Sequence, residues 1–350
     1  MDRRAFMAMT MTSSLVACGP RGVFSPAVAD LRAAQQPIFV VTDRVVDSQL
    51  TSVGGRAENL TNARVNVQIP ESHETGQIEY PQPGRDNSQN FGVESAYRYA
   101  RQADLLHEIS RYGDPSEDLV VYVHGYNNNL AEAVYRHAQI AHDFGLRGPQ
   151  ITFSWSSSAE PLGYAYDRDS ISVARDRLEQ LIISLASNQR RRIVLLAHSL
   201  GSTLLTEVLR QMAIGGKAHL FRRFALVALM SPDIDVDVFR SQVRRIQPLP
   251  QPFVIFVSKT DRALRLSAGI TGKSVRLGST DDIAELQGLG FTIFDLSTFA
   301  DTAPGDHFAA VSSATGIAML RGIWLNGIPE VRADQPRPNL AGIFFETTAR

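Results

Sequence analysis

A serine, an aspartate and a histidine each follow a separate apolar run of this sequence, in that order along the chain. Ser199 lies in L-L-A-H-S-L-G-S, Asp261 follows the run that ends at Val257, and His307 follows the run that ends at Leu296. A serine hydroxyl is a poor nucleophile unless a base takes its proton, and a carboxylate can hold an imidazole in the tautomer that accepts it. The three residue types predict attack by Ser199 on a carbonyl carbon, with His307 as the base.

The acid of this set has more than one candidate. Asp261, which follows the next-to-last predicted strand, is one candidate. Asp233 and Asp235, in S-P-D-I-D after the strand before it, are the alternatives. Asp306 is adjacent to His307 and is interpreted as the N-cap of a last helix that extends to Leu320.

Acyl transfer also needs donors for the negative charge that develops on the carbonyl oxygen. The backbone N–H of Leu200 is one candidate, and that of Tyr126, in V-H-G-Y-N-N, is the other. His124, Gly125 and Gly201 are predicted to support them, since glycine lets the backbone approach closely.

Other histidines and aromatic residues receive interpretations that the structure can test. His198 is interpreted as structural. Aromatic side chains near strand ends are candidates for the pocket wall: Trp155, Tyr164 and Tyr166. The remaining histidines are interpreted as surface or helix-face residues: His73, His107, His137, His142 and His219.

Strands and helices alternate along the region that must position these groups. Apolar runs predict strands over 119–123, 150–155, 193–197, 224–230, 252–257 and 291–296, and helical periodicity is present over 130–144, 171–185 and 202–212. Earlier strands are predicted over 37–42 and 63–69, and the polar segment 71–90 is predicted to be a loop or partly disordered. The pattern predicts an α/β fold with a mostly parallel central sheet and helices on both faces. In such sheets functional groups gather at the carboxyl ends of the strands.

The combination resembles the α/β-hydrolase superfamily, in particular a bacterial lipoprotein-like branch of serine esterases and lipases whose function is largely uncharacterised. The resemblance covers roughly residues 38–324 and is carried by V-V-Y-V-H-G-Y-N-N, F-S-W-S-S, L-L-A-H-S-L-G-S and M-S-P-D-I-D. One departure is Ala197, which replaces the first glycine of the G-x-S-x-G turn. The resemblance implies the catalytic set Ser199, Asp261 and His307, and it favours Asp261 over Asp233 and Asp235 because Asp261 follows the next-to-last strand. It also implies that the Tyr126 N–H is the second oxyanion donor.

The amino terminus has the pattern of an export signal. Arg3 and Arg4 precede a short, mildly apolar segment, and Leu-Val-Ala-Cys, ending at Cys18, resembles a bacterial lipobox. Lipidation of Cys18 would provide a membrane anchor. The expectation is therefore an exported lipoprotein of the bacterial cell envelope, on the periplasmic side of the outer membrane.

The predicted organisation has a single folded unit. Residues 1–18 form the export signal, 19–36 a tether, 37–330 the α/β-hydrolase domain and 331–350 a C-terminal tail. No internal repeat suggests a second domain.

Composition and motifs argue against several other classes. The formal net charge is −1, so nucleic acid is not an expected partner. No ligand spacing indicates a metal, and no cofactor is implied. The segment G-I-T-G-K-S, residues 269–274, ends like a phosphate-binding loop but has Ser267 where that motif needs glycine.

The sequence therefore predicts a serine hydrolase of the esterase or lipase type that acts, through an acyl-enzyme, on a small-molecule or lipid ester. Transfer of the acyl group to an acceptor other than water stays open. The alternative is a non-catalytic binding or envelope-organising lipoprotein on a hydrolase scaffold, for which Ala197 is the best argument.

Overall fold

The computed structural model describes residues 21–82, 84–188, 190–270, 272, 275–279, 289–297, 307–326 and 346–347. The predicted export signal with Cys18, most of the predicted tail and Asp306 lie outside these residues.

A 10-stranded sheet forms the centre of the molecule, in the order β10-β9-β8-β7-β6-β4-β5-β1-β2-β3. All pairs from β1 through β5, β4, β6, β7 and β8 to β9 are parallel, while β2, β3 and β10 add antiparallel pairs at the two edges. The strand bounds are β1 Ala34–Val46, β2 Ser52–Ile69, β3 Gly92–Tyr99, β4 Leu119–Val123, β5 Gln150–Ser154, β6 Ile193–His198, β7 Phe224–Met230, β8 Phe253–Val257, β9 Thr292–Asp295 and β10 Glu346–Thr347.

Helices connect the parallel strands and cover both faces of the sheet. Their bounds are α1 Gln102–Arg111, α2 Leu130–Asp143, α3 Tyr164–Asn188, α4 Leu200–Ile214, α5 Val236–Arg245, α6 Arg262–Ile270, α7 Ala309–Ser312 and α8 Ala314–Asn326. The mostly parallel sheet between two helical layers confirms the predicted fold class.

The central strands are apolar on both faces because helices bury both. All five residues of β4 are buried. Val121 and Val123 pack into one core cluster with α3 and α4, whereas Val120 and Tyr122 pack into another with α2 and α8. Side chains alternate across a strand, so a continuous apolar run is what a doubly covered strand requires.

The last helix differs from the prediction. Instead of one helix to Leu320, α7 and α8 are separated by Ser313, whose backbone is extended at φ −98° and ψ 142°. The Ser313 hydroxyl accepts a hydrogen bond from Gly316 N at 2.9 Å and so caps the start of α8. The described N-cap of α7 is Phe308.

The predicted tether also differs from the structure, because residues 21–33 pack on the domain and β1 begins at Ala34. Arg21 pairs with Glu132 at 2.9 Å. The Phe24 ring packs edge-on against Tyr135, and a bridge at Pro26 extends the sheet beyond β3. Residues with so many partners are part of the folded unit.

Segment 71–90 has no helix or strand among its described residues, as predicted.

Two of the histidines that were interpreted as surface or helix-face residues have buried side chains. The His73 side chain is 4% exposed and bridges Glu79 and Asp143. His137 is fully buried on α2, with Nδ1 2.8 Å from Thr152 Oγ1. The interpretation was wrong for His73, while His137 does lie on a helix but on its buried face. Tertiary contacts, which periodicity does not reveal, cover both side chains.

Among the helices of the described chain, none has the length and apolar character that a bilayer span requires.

Candidate active site

Ser199 occupies the turn between β6 and α4. Its backbone lies at φ 50° and ψ −122°, a region that non-glycine residues rarely adopt. The turn is fixed on both sides, since Ser199 N donates to Met230 O at 2.9 Å and Ser199 O accepts from Asp233 N at 3.2 Å. Such backbone strain persists only where the surroundings impose it, and it is common at functional sites.

Close backbone approaches around this turn explain two glycines. A Cβ on Gly201 would lie 2.3 Å from His124 O, and one on Gly125 would lie 2.8 Å from Ser199 Cβ. Neither position therefore accepts a side chain without backbone movement. Ala197, which replaces the first glycine of the G-x-S-x-G pattern, causes no such conflict, because its methyl group packs in the core cluster.

His307 and Asp261 meet at the carboxyl end of the sheet. His307 Nδ1 is 2.6 Å from Asp261 Oδ2. Asp261 is fully buried, and its other oxygen accepts from Leu264 N at 3.1 Å in the first turn of α6. With Nδ1 donating to the carboxylate, Nε2 is the ring nitrogen that can accept a proton.

His198 holds the backbone of this histidine. Its Nε2 donates to His307 O at 3.0 Å, and its ring stacks on Phe308 at 4.1 Å. Burial, and then the neighbouring His307, lower the pKa of His198 well below its usual value. A neutral, buried imidazole with these contacts positions the chain around His307.

The alternative acids have other partners. Asp233 is buried, where it accepts from the Tyr164 hydroxyl at 2.9 Å and pairs with Arg276 at 3.2 Å. Asp235 caps α5 by accepting from the N–H groups of residues 237 and 238. Of the three candidate acids, Asp261 is the one that the structure brings to His307.

Ser199 and His307 line the same cavity, which has a volume of about 330 Å³. Its other walls are mainly aromatic and aliphatic: Tyr126, Tyr164, Leu264, Leu266 and Phe308. Two of the predicted wall residues lie elsewhere. Trp155 is fully buried beneath the site, and Tyr166 packs under the Arg56 guanidinium.

The two predicted oxyanion donors belong to the two segments that meet at Ser199. Leu200 is the first residue of α4, so its N–H has no partner inside the helix. Tyr126 follows Gly125 in the loop that contacts Ser199. Among the described residues, neither of these two backbone N–H groups makes a hydrogen bond.

Sequence reasoning missed two charged residues that hold this loop. Arg44, on β1, donates to Asn128 O at 2.6 Å, and Asp167, on α3, accepts from Asn127 N at 3.2 Å. Both side chains are buried. The sequence offers one weak signal for Arg44, a charged pair at the end of an apolar strand.

No group of three or more His, Cys, Asp or Glu side chains able to hold a metal occurs in the part of the chain that the structure describes. Half of the segment that resembles a phosphate-binding loop, including Lys273 and Ser274, falls outside that part.

None of the curated proteins matches this chain in sequence. Among solved structures, the chain is similar to an esterase from Pyrobaculum calidifontis, with 10% identity, coverage of 75% of this chain and 80% of that one, and a TM-score of 0.34. Lipase B from Aspergillus fumigatus has 13% identity, coverage of 74% and 64%, and a TM-score of 0.42. The esterase domain of a Rhodothermus marinus protein has 10% identity, coverage of 83% and 95%, and a TM-score of 0.37.

A family model matches residues 98–321, which is more than half of the 350-residue chain. The match spans Ser199, Asp261 and His307. The chain belongs to the family described as α/β hydrolase of unknown function (DUF900).

Proposed function

We propose that this protein is a serine hydrolase that cleaves a carboxylic ester through an acyl-enzyme. The observation that carries the proposal is the strained Ser199 turn in one cavity with a His307 imidazole that is 2.6 Å from a buried aspartate. A nucleophile, a base and a group that orients the base are the parts that acyl transfer needs.

The reaction follows from these positions. Ser199 Oγ attacks the ester carbonyl while His307 Nε2 takes its proton. The oxyanion accepts hydrogen bonds from the N–H groups of Leu200 and Tyr126. His307 then gives the proton to the leaving alcohol, and a water molecule activated by the same imidazole releases the acid.

The cavity favours a substrate with a modest apolar group. Its volume of about 330 Å³ lies near the lower end of ligand pockets. Tyr126, Phe308 and Leu264 present largely apolar surface to it. Short acyl chains on p-nitrophenyl esters are therefore the first substrates to try.

The decisive experiment is covalent labelling. We expect a fluorophosphonate probe to label the wild-type protein and to spare Ser199→Ala, and we expect that variant to lose ester hydrolysis by a factor of about 10³ or more. Ser202→Ala is a matched control, because Ser202 Oγ donates to Ala197 O at 3.1 Å and lies on the helix side of the turn. Failure of folded wild-type protein to react with the probe would argue for the non-catalytic alternative.

We further propose that the protein is anchored in the bacterial envelope through a lipid on Cys18. The motif at residues 15–18 supports this proposal. Fatty-acid labelling in cells should mark the wild-type chain and not Cys18→Ser. A Cys18→Ser chain that is labelled equally and stays with membranes would contradict the anchor.

A further inference from the structure

Arg44 is a buried cation whose described hydrogen-bond acceptors are all uncharged. Its residue is 2% exposed. Nε donates to Ser154 Oγ at 3.0 Å, Nη1 to Ser157 O at 2.7 Å and Nη2 to Asn128 O at 2.6 Å. Burial lowers the pKa of Arg44 to about 10, which still leaves it protonated at neutral pH. Burying a charge is energetically unfavourable, so the contacts of Arg44 call for a structural or functional explanation.

The fourth contact of Arg44, together with Gly125 O, determines which nitrogen of His124 carries the proton, and Ser154 Oγ, 3.2 Å from the same Nε2, can also donate to it. Nη2 is 3.3 Å from His124 Nε2, and a guanidinium can only donate. On the other side of the ring, His124 Nδ1 is 2.8 Å from Gly125 O, which can only accept. His124 is therefore neutral with its hydrogen on Nδ1, and burial together with the Arg44 charge lowers its pKa to about 3.

This tautomer fixes the peptide unit between Gly125 and Tyr126. The C=O and N–H of a trans peptide point in opposite directions. Once His124 holds Gly125 O, the N–H of Tyr126 must point away from His124. That N–H is the second donor of the proposed oxyanion site.

The neighbouring peptide groups of the loop are held as well. The Asn128 side chain donates to Tyr126 O at 2.8 Å, and Asp167 accepts from Asn127 N at 3.2 Å. Arg44 itself holds Asn128 O. The His124 ring is fixed from the side by Trp155, stacked at 5.0 Å between centroids.

We propose that Arg44 is a positioning residue for the oxyanion site, because it sets the His124 tautomer and thereby the direction of the Tyr126 N–H. This inference rests on the proposed hydrolase function. It assigns to Arg44 an effect on transition-state stabilisation, which a purely structural role would not have.

The first test compares Arg44→Met with the control Arg177→Gln. Arg177 approaches Asp43 Oδ2 at 3.6 Å and donates to Glu58 O at 3.1 Å, so its removal deletes a nearby guanidinium without touching the loop. For Arg44→Met we expect kcat on a p-nitrophenyl ester to fall about 10- to 100-fold, less than the loss of a whole oxyanion donor, with KM within about twofold. Affinity for a trifluoromethyl ketone, which adds to serine as an oxyanion, should fall by a similar factor. Arg177→Gln should change neither quantity.

The second test asks whether Arg44 acts through His124. His124→Phe keeps the stack on Trp155 but removes both ring nitrogens, so the double variant with Arg44→Met should be little worse than His124→Phe alone. His124→Asn restores a side-chain N–H near the Nδ1 position and should retain more kcat than His124→Phe. Multiplicative losses in the double variant, or equal losses in the Asn and Phe variants, would overturn the proposal.

Arg44→Lys covers the case in which Arg44→Met does not fold. Lysine keeps the charge, but its single nitrogen cannot reach all four acceptors of the guanidinium together, so kcat should still fall severalfold. Folded Arg44→Lys with wild-type kcat and ketone affinity would overturn the inference. A wild-type protein without hydrolysis or Ser199 labelling would instead contradict the proposed function itself.

Discussion

Two buried aspartates lie close to the cavity, and their partners separate their roles. Asp233 is occupied by the Tyr164 hydroxyl and by Arg276, whose side chain is 1% exposed. One carboxylate oxygen of Asp261 accepts a hydrogen bond from Leu264 N in α6, and the other accepts one from His307. Similar burial therefore leads to different expectations for the two carboxylates.

We expect Asp261→Asn to lower kcat about 10³- to 10⁴-fold, because the amide no longer holds the required His307 tautomer. Asp233→Asn should instead lower the free energy of unfolding by about 3–5 kcal/mol, since it leaves Arg276 buried beside an uncharged group. Ester hydrolysis and urea unfolding of both variants check this. A large loss of kcat in folded Asp233→Asn with a small one in Asp261→Asn would assign the acid role to Asp233.

At the scale of elements, His73 joins segment 71–90 to the end of α2. Its Nδ1 is 2.8 Å from Glu79 and its Nε2 is 3.0 Å from Asp143, the last residue of α2. Burial opposes protonation, but hydrogen bonds to Asp143 and Glu79 outweigh it and raise the pKa of His73 to about 9. Asp143 also accepts from Gly76 N at 2.7 Å, so a protonated His73 holds a segment that has no helix or strand of its own.

Because the pKa is raised in the folded state, this stabilisation is complete below the unfolded pKa of about 6.5 and is lost as pH rises through about 9. After allowance for solvent screening at Glu79, we expect a loss of about 1–2 kcal/mol between pH 6.5 and 9.5. Urea unfolding of wild type and His73→Gln across this range gives the measurement. The expected result is a difference between the two that shrinks with pH, and a constant difference would contradict it.

At the scale of the whole molecule, buried neutral histidines make the free energy of unfolding depend on pH. Burial lowers the pKa of His137 to about 3, burial and Arg44 lower that of His124 to about 3, and the pKa of His198 is lowered well below its usual value. Nε2 of His137 and Nδ1 of His198 have no hydrogen-bond partner in the described chain. A proton added there would place a charge in a fully buried position, which is unfavourable.

These depressed values mean that the unfolded chain binds protons below pH 6.5 that the native protein does not, so stability falls as pH falls. Each such histidine contributes about 1.4 kcal/mol per pH unit in this range. Chemical unfolding at pH 7.5, 6.5 and 5.5 should show the decline, and His137→Phe should show a shallower one. Stability that is flat between pH 7.5 and 5.5 would be inconsistent with neutral buried imidazoles.

Much of the fold follows from local pattern. β7 has its predicted bounds, Phe224–Met230, and α2 begins at a capping box formed by Asn129 and Glu132. Fully covered strands are continuously apolar and helices are periodic, so short segments carry these signals. Elements with weaker signals were missed: β3 is mostly exposed and α5 is strongly polar.

The order of Ser199, Asp261 and His307 at strand ends was readable from the sequence, because a parallel sheet gathers the carboxyl ends of its strands at one edge. The sequence left three acids open, and only the tertiary structure separates them, since pairing of Asp233 with Arg276 or of Asp261 with His307 depends on contacts between distant segments. The same holds for Arg44, whose acceptors lie 80 or more positions away along the chain. The local sequence pattern reflects how neighbouring elements bury each segment. Hydrogen-bond partners from distant segments, in contrast, are fixed only when those segments pack together.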